Sequence, residues 1–121
     1  MIVELNDKNY PEFISQTDKA VFIEFYTPMC GACQQLEPIL DQMDLHYKGD
    51  VVISKCDVTI NPRLAKKYRI QSVPFCVAIN REKKIKDVEM GLLDPMRYFE
   101  MADKAFYNYS WWESIKKKFG L

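Results

Sequence analysis

The chain has no surplus of charge of either sign: 17 lysines and arginines are matched by 17 aspartates and glutamates. Polyanions are bound through a basic surplus, so this balance leaves no electrostatic reason for a nucleic-acid partner. Long apolar runs are missing too, and none reaches the length that a membrane-spanning helix needs. The opening segment Met1-Ile2-Val3-Glu4-Leu5-Asn6-Asp7 carries neither the basic nor the apolar stretch of a secretory leader. These absences set the expectation of a soluble monomer in the cytoplasm with no membrane partner. Glycine is scarce at four residues, and no linker, low-complexity tract or internal repeat divides the 121 residues. One domain is expected, large enough to bury a core without disulfide staples.

Four cysteines suit a disulfide framework only in a short secreted chain, and here only Cys30 and Cys33 are closely spaced. Cys56 and Cys76 sit alone in apolar, strand-like runs, where a thiol behaves as a small apolar residue. No second Cys-x-x-Cys or Cys-x-x-His accompanies the first pair, so the ligand set of a zinc site is missing and neither metal nor cofactor is expected. The single histidine, His46, follows Cys33 by thirteen residues on the same predicted helix, about 20 Å along it, too far to act as a base for the pair.

What is present centres on Cys30-Gly31-Ala32-Cys33. The run before it, Ala20 to Tyr26, is apolar and aromatic at strand length, and the run after it has apolar residues at helical spacing. The cysteines therefore fall on a strand-to-helix turn. There the unpaired N–H groups and the helix dipole favour an anion, which raises the thiolate fraction of the first cysteine. A thiolate is the attacking species in disulfide exchange.

Strands are expected at Ile2 to Leu5, Ala20 to Tyr26, Val51 to Val58, Ser72 to Ile79 and Ile85 to Met90. Helices are expected from Tyr10 to Gln16, from about Cys33 to Tyr47 with Pro38 as a kink, and from Asn61-Pro62 to Tyr68 with Asn61 as N-cap. Asp94-Pro95 caps a further helix with apolar positions at Met96, Phe99, Ala102 and Phe106. In the tail, Ser110-Trp111-Trp112-Glu113 fits a capping box, and Trp112, Ile115 and Phe119 follow at helical spacing. Alternation of this kind reads as an α/β domain with its sheet covered on both faces.

With these residues in place, the chain resembles the thioredoxin family over nearly its whole length, short of the terminal segment. That family has a Cys-x-x-Cys turn after a buried strand with an acidic residue, a kinking helix proline, a strand lysine, a cis-proline facing the dithiol and a late glycine. The corresponding positions are Cys30 and Cys33, Glu24, Pro38, Lys55, Pro74 and Gly91. The resemblance implies a thioredoxin fold, a central mixed sheet flanked by helices on both faces, over residues 1–109. Residues 110–121 are expected to form an additional C-terminal helix packed on the same domain.

It also implies thiol-disulfide exchange, with Cys30 as nucleophile, Cys33 as resolving thiol and Glu24 taking or returning the Cys33 proton. Lys55 is expected as the charge partner of Glu24, and Pro74, in cis, turns the Val73 backbone toward the dithiol. Substrate contacts are expected at Val73, Met29, Gly31, Ala32, Phe75 and Gly91, with Tyr26 beside them. The implied partners are disulfide-containing client proteins and a flavin- or ferredoxin-dependent reductase. Three positions depart from the family pattern: Met29 replaces its tryptophan, Ala32 its turn proline and Glu24 its aspartate. Ala32 keeps its N–H and loosens the turn, which favours a more oxidising potential.

Alternatives remain at several points. Glu24 and Lys55 also read as a plain ion pair or solvated strand ends, Pro74 as the start of a strand, and Tyr26, Met29 and Phe75 as core. The same residues run in reverse would make an oxidase or isomerase, and the fold could also persist as a non-catalytic binding module.

Overall fold

Residues 1–107, 115, 116 and 118–120 are described by the computed structural model. Their elements are β1 (Val3–Glu4), α1 (Tyr10–Gln16), β2 (Ala20–Tyr26), α2 (Gly31–Tyr47), β3 (Val51–Asp57), α3 (Pro62–Lys67), β4 (Phe75–Ile79), β5 (Ile85–Met90) and α4 (Pro95–Tyr107). The expected capping box at Ser110 to Glu113 lies outside the described residues. The five strands form one sheet in the order β1-β3-β2-β4-β5. β1 and β2 each pair with β3 in parallel, and β4 pairs antiparallel with both β2 and β5. The sheet is therefore mixed, with β2 at its centre.

Side-chain alternation along β2 divides the core in two. Ala20 and Phe22 point to the face covered by α2 and α4, where they pack with Leu36, Leu40, Met43, Tyr98 and Met101. Val21, Ile23 and Phe25 point to the other face, where they meet Tyr10 of α1 and Leu64 of α3. A strand buried on both sides has to be apolar at nearly every position, and the one break in β2 is Glu24, which is 1 % exposed.

Four expectations need correction. β4 starts at Phe75, three residues after the expected Ser72. α2 starts at Gly31, two residues early, because Cys30 caps it. α4 buries Tyr98, Met101, Ala102 and Ala105, while Met96 is exposed and Phe99 and Phe106 only border the core. Asn61 makes no cap bond to α3. Its side chain donates to the Asp57 carbonyl (2.8 Å) and accepts the Asp7 N–H (2.9 Å). Asp7, between β1 and α1, supplies the cap instead, one carboxylate oxygen accepting the Leu64 N–H at 2.8 Å and the other the Arg63 N–H at 3.0 Å. Asp7→Ala should therefore lower stability in urea unfolding by about 1 kcal/mol. Asp7→Asn should cost less, since an amide has one acceptor oxygen.

Candidate active site

The turn after β2 is closed by the Cys30 N–H, which donates to the Thr27 carbonyl at 3.2 Å. Cys30 then stands as the N-cap of α2: its backbone is extended and its sulfur accepts the Cys33 N–H at 3.1 Å. A sulfur in that position faces the free N–H groups of the first helical turn, which favour a thiolate over a thiol. The two cysteines are joined as a disulfide, their Cα atoms 5.2 Å apart. Their exposure differs. Cys33 is buried, at 3 %, and Cys30 is half-buried. Only the first sulfur is open to a macromolecular disulfide.

Opposite the turn, the Val73–Pro74 bond is cis, and the Val73 carbonyl oxygen lies 3.9 Å from the Cys30 sulfur. Gly91 fixes this loop by donating its N–H to the Pro74 carbonyl at 2.8 Å. Its φ is +82°, which a residue with a Cβ adopts only under strain. Of the residues expected to touch substrate, Met29, Gly31 and Gly91 are exposed and Ala32 and Val73 half-buried. Phe75 is not among them. Expected as a contact, it is buried in the core instead, its ring 6.1 Å from that of Phe25, because the residue after Pro74 already points to the α1 and α3 face.

Beneath the turn, a cleft of about 450 Å³ is lined by Glu24, Tyr26, Thr27, Pro28, Cys33, Gln34, Glu37 and Lys55. It joins the buried carboxyl of Glu24 to the buried sulfur of Cys33, with room for several waters between them. Among the described residues, Oε2 of Glu24 has no hydrogen-bond partner. Burial pushes the Glu24 carboxyl up to about 7; the Lys55 charge pulls it down, and the Glu37 and Glu4 charges push it further up. Lys55 lies opposite Glu24 in the β2–β3 register, yet its ion pair is with Glu37 of α2, Nζ to Oε1 3.5 Å. Its ammonium also sits 4.7 Å from the centre of the Tyr26 ring, whose hydroxyl donates to Glu4. Glu37 is a site residue that the sequence reading does not single out. Its signal is the spacing of four from Cys33, which puts both on one face of α2.

Residues 1–94 match the family model for thioredoxin. The chain belongs to the thioredoxin family. It is 37 % identical over 90 residues to a thioredoxin of Chlorobaculum thiosulfatiphilum, a match covering 74 % of this chain and 82 % of that one. Thioredoxin 2 of Chlorobaculum tepidum is 32 % identical over the same shares of the two chains. A thioredoxin of Rickettsia felis is 28 % identical over 87 % of this chain and 99 % of its own. Family and adjacent cysteine pair together make the protein a thiol-disulfide oxidoreductase.

The other two cysteines of this thioredoxin-family protein take no part in the disulfide. Cys56 is buried on the α1 and α3 face, and burial pushes its thiol up to about 12. Cys76 is buried beside Glu24 in the β2–β4 register, and burial raises its thiol as well. Both are free thiols. His46 packs edge-on against Tyr47 and Phe99 at the far end of α2. Among the described residues no cluster of His, Cys, Asp or Glu could hold a metal ion, and no helix is long and apolar enough to cross a membrane.

Proposed function

We propose that the chain is a dithiol reductase of protein disulfides. The observation that carries this reading is the pairing of a helix-capping, reachable Cys30 with a buried Cys33 that shares a cleft with Glu24. The Cys30 thiolate attacks one sulfur of a client disulfide, the client S–S bond breaks, and the departing client thiolate takes a proton. Glu24, as carboxylate, then removes the Cys33 proton, directly or through a water in the cleft. The Cys33 thiolate attacks the Cys30 sulfur, the Cys30–Cys33 bond forms, and the second client sulfur leaves with its electron pair. Two electrons pass from the dithiol to the client, and a flavin- or ferredoxin-dependent reductase returns them.

Val73, Met29, Gly31, Ala32 and Gly91 would form the client contact surface beside Cys30, with an extended client segment lying along the Val73 carbonyl. A monomer in the reducing cytoplasm fits the two thiols that stay unpaired at Cys56 and Cys76. The reverse direction has one residue in its favour. Ala32 leaves the turn less restricted than proline would, and a well-stabilised Cys30 thiolate moves the couple toward an oxidant. The couple's potential against glutathione, measured beside insulin reduction, decides between them. A potential between about −270 and −200 mV with insulin turnover is expected; a value near roughly −120 mV without turnover would assign the chain to disulfide formation.

A further inference from the structure

The groups facing Glu24 come from every element around it. They are Glu4 on β1, Lys55 on β3, Cys76 on β4, Glu89 on β5, Glu37 and Cys33 on α2, Tyr98 on α4, and Tyr26 on its own strand. Four of them lie with Glu24 in one cross-strand row, Glu4, Lys55, Glu24, Cys76 and Glu89, each in register with the next. Glu89 is occupied by Arg97 of α4, Nη2 to Oε1 2.7 Å. That leaves Lys55 as the cation nearest in register to Glu24. Its ammonium nevertheless goes to Glu37, 3.5 Å away, and over the Tyr26 ring, and among the described residues no ion pair joins it to Glu24.

We propose that Glu37 is a positioning residue for the proton transfer at Cys33: its carboxylate draws the Lys55 ammonium to the mouth of the cleft and leaves Glu24 without a cation in contact. This rests on the reading of Glu24 as the proton acceptor. An ammonium in direct contact would pin Glu24 as an anion and make it a weak base. Held off by Glu37, Lys55 acts on Glu24 only through space, and the Glu37 charge itself opposes ionisation. Both effects push one way, so that Glu24 exchanges its proton near neutrality, where a general base works best.

Glu37→Gln keeps the side chain's length and removes its charge. Glu37 is 57 % exposed, so the replacement should leave the melting temperature of the protein unchanged. Two measurements read the proposal: the titration of Glu24 by carboxyl-labelled glutamate NMR, its signal assigned by its absence in Glu24→Gln, and the pH profile of ring closure from a preformed glutathione mixed disulfide at Cys30. Glu37→Gln should move both midpoints to lower pH by roughly half a pH unit, and Glu37→Asp should hold them near their original place. Midpoints unchanged in Glu37→Gln, with closure in Glu24→Gln losing its dependence on pH near neutrality, would overturn the role of Glu37 and leave that of Glu24 intact. A closure profile unaltered by Glu24→Gln would overturn both.

Discussion

Cys33→Ser should accumulate client proteins as mixed disulfides through Cys30, and Cys30→Ser should accumulate none. Both variants should lose insulin reduction by roughly a thousandfold or more, since each lacks one of two sulfurs that act as a unit. The difference in trapping follows from exposure and from the cap. The Cys30 sulfur is half-open and accepts an N–H from the first turn of α2; Cys33 lies 3 % exposed beneath it. With a hydroxyl in place of the Cys33 thiol, nothing attacks the mixed disulfide from inside, so it persists until an external thiol arrives. Non-reducing gels of a lysate treated with each variant, followed by release with a reductant, measure this. Equal trapping by both variants would reverse or erase the assigned roles.

The second large effect is on stability, and it has a definite sign. Glu24 in the folded oxidised protein is pushed up from 4.5 to about 7, chiefly by burial. Between those two values the folded state holds a proton that the unfolded state has released. The contribution of Glu24 to stability is therefore fully present below about pH 4.5, falls as the pH rises through the window to about 7, and levels off above it. The total attributable to this one carboxyl is on the order of 3 kcal/mol. Glu24→Gln removes the titration. The variant's stability relative to the parent should thus grow by about 3 kcal/mol between pH 4.5 and pH 8, read by urea unfolding of the oxidised forms. A constant difference across that range would mean that Glu24 is ionised at low pH and well solvated. The same group that the proposed mechanism needs as a proton carrier is a cost to the fold at alkaline pH.

The features carried by contiguous residues are legible in the sequence. An apolar strand, a Cys-Gly-Ala-Cys turn and an amphipathic helix place the dithiol at the head of α2, and the resemblance adds the cis bond before Pro74. What escapes depends on contacts between distant segments. Asn61 has the residue type of an N-cap, yet Asp7, 57 residues before Leu64, outcompetes it with two carboxylate oxygens. Lys55 is the register partner of Glu24 on the neighbouring strand, but the flexible stem of a lysine lets a third residue on a helix take the ammonium. The α4 face differs at Met96 because periodicity alone does not fix the phase of a helix against a sheet, and Tyr98 fills the core instead, its hydroxyl tied to the Gly91 carbonyl and the Leu93 N–H. Phe75 departs from its expected place for a related reason: β4 is buried on both faces, so an aromatic there has the core to enter.

β2 both ends at the dithiol and holds Glu24, and it is the central strand of the sheet, paired along its length with β3 and from Val21 to Phe25 with β4. Opening the site by local unfolding would mean tearing out the middle of the sheet. The redox centre is thus attached to the part of the molecule that gives way last, and on heating, the chemistry and the fold should vanish in a single step rather than in sequence.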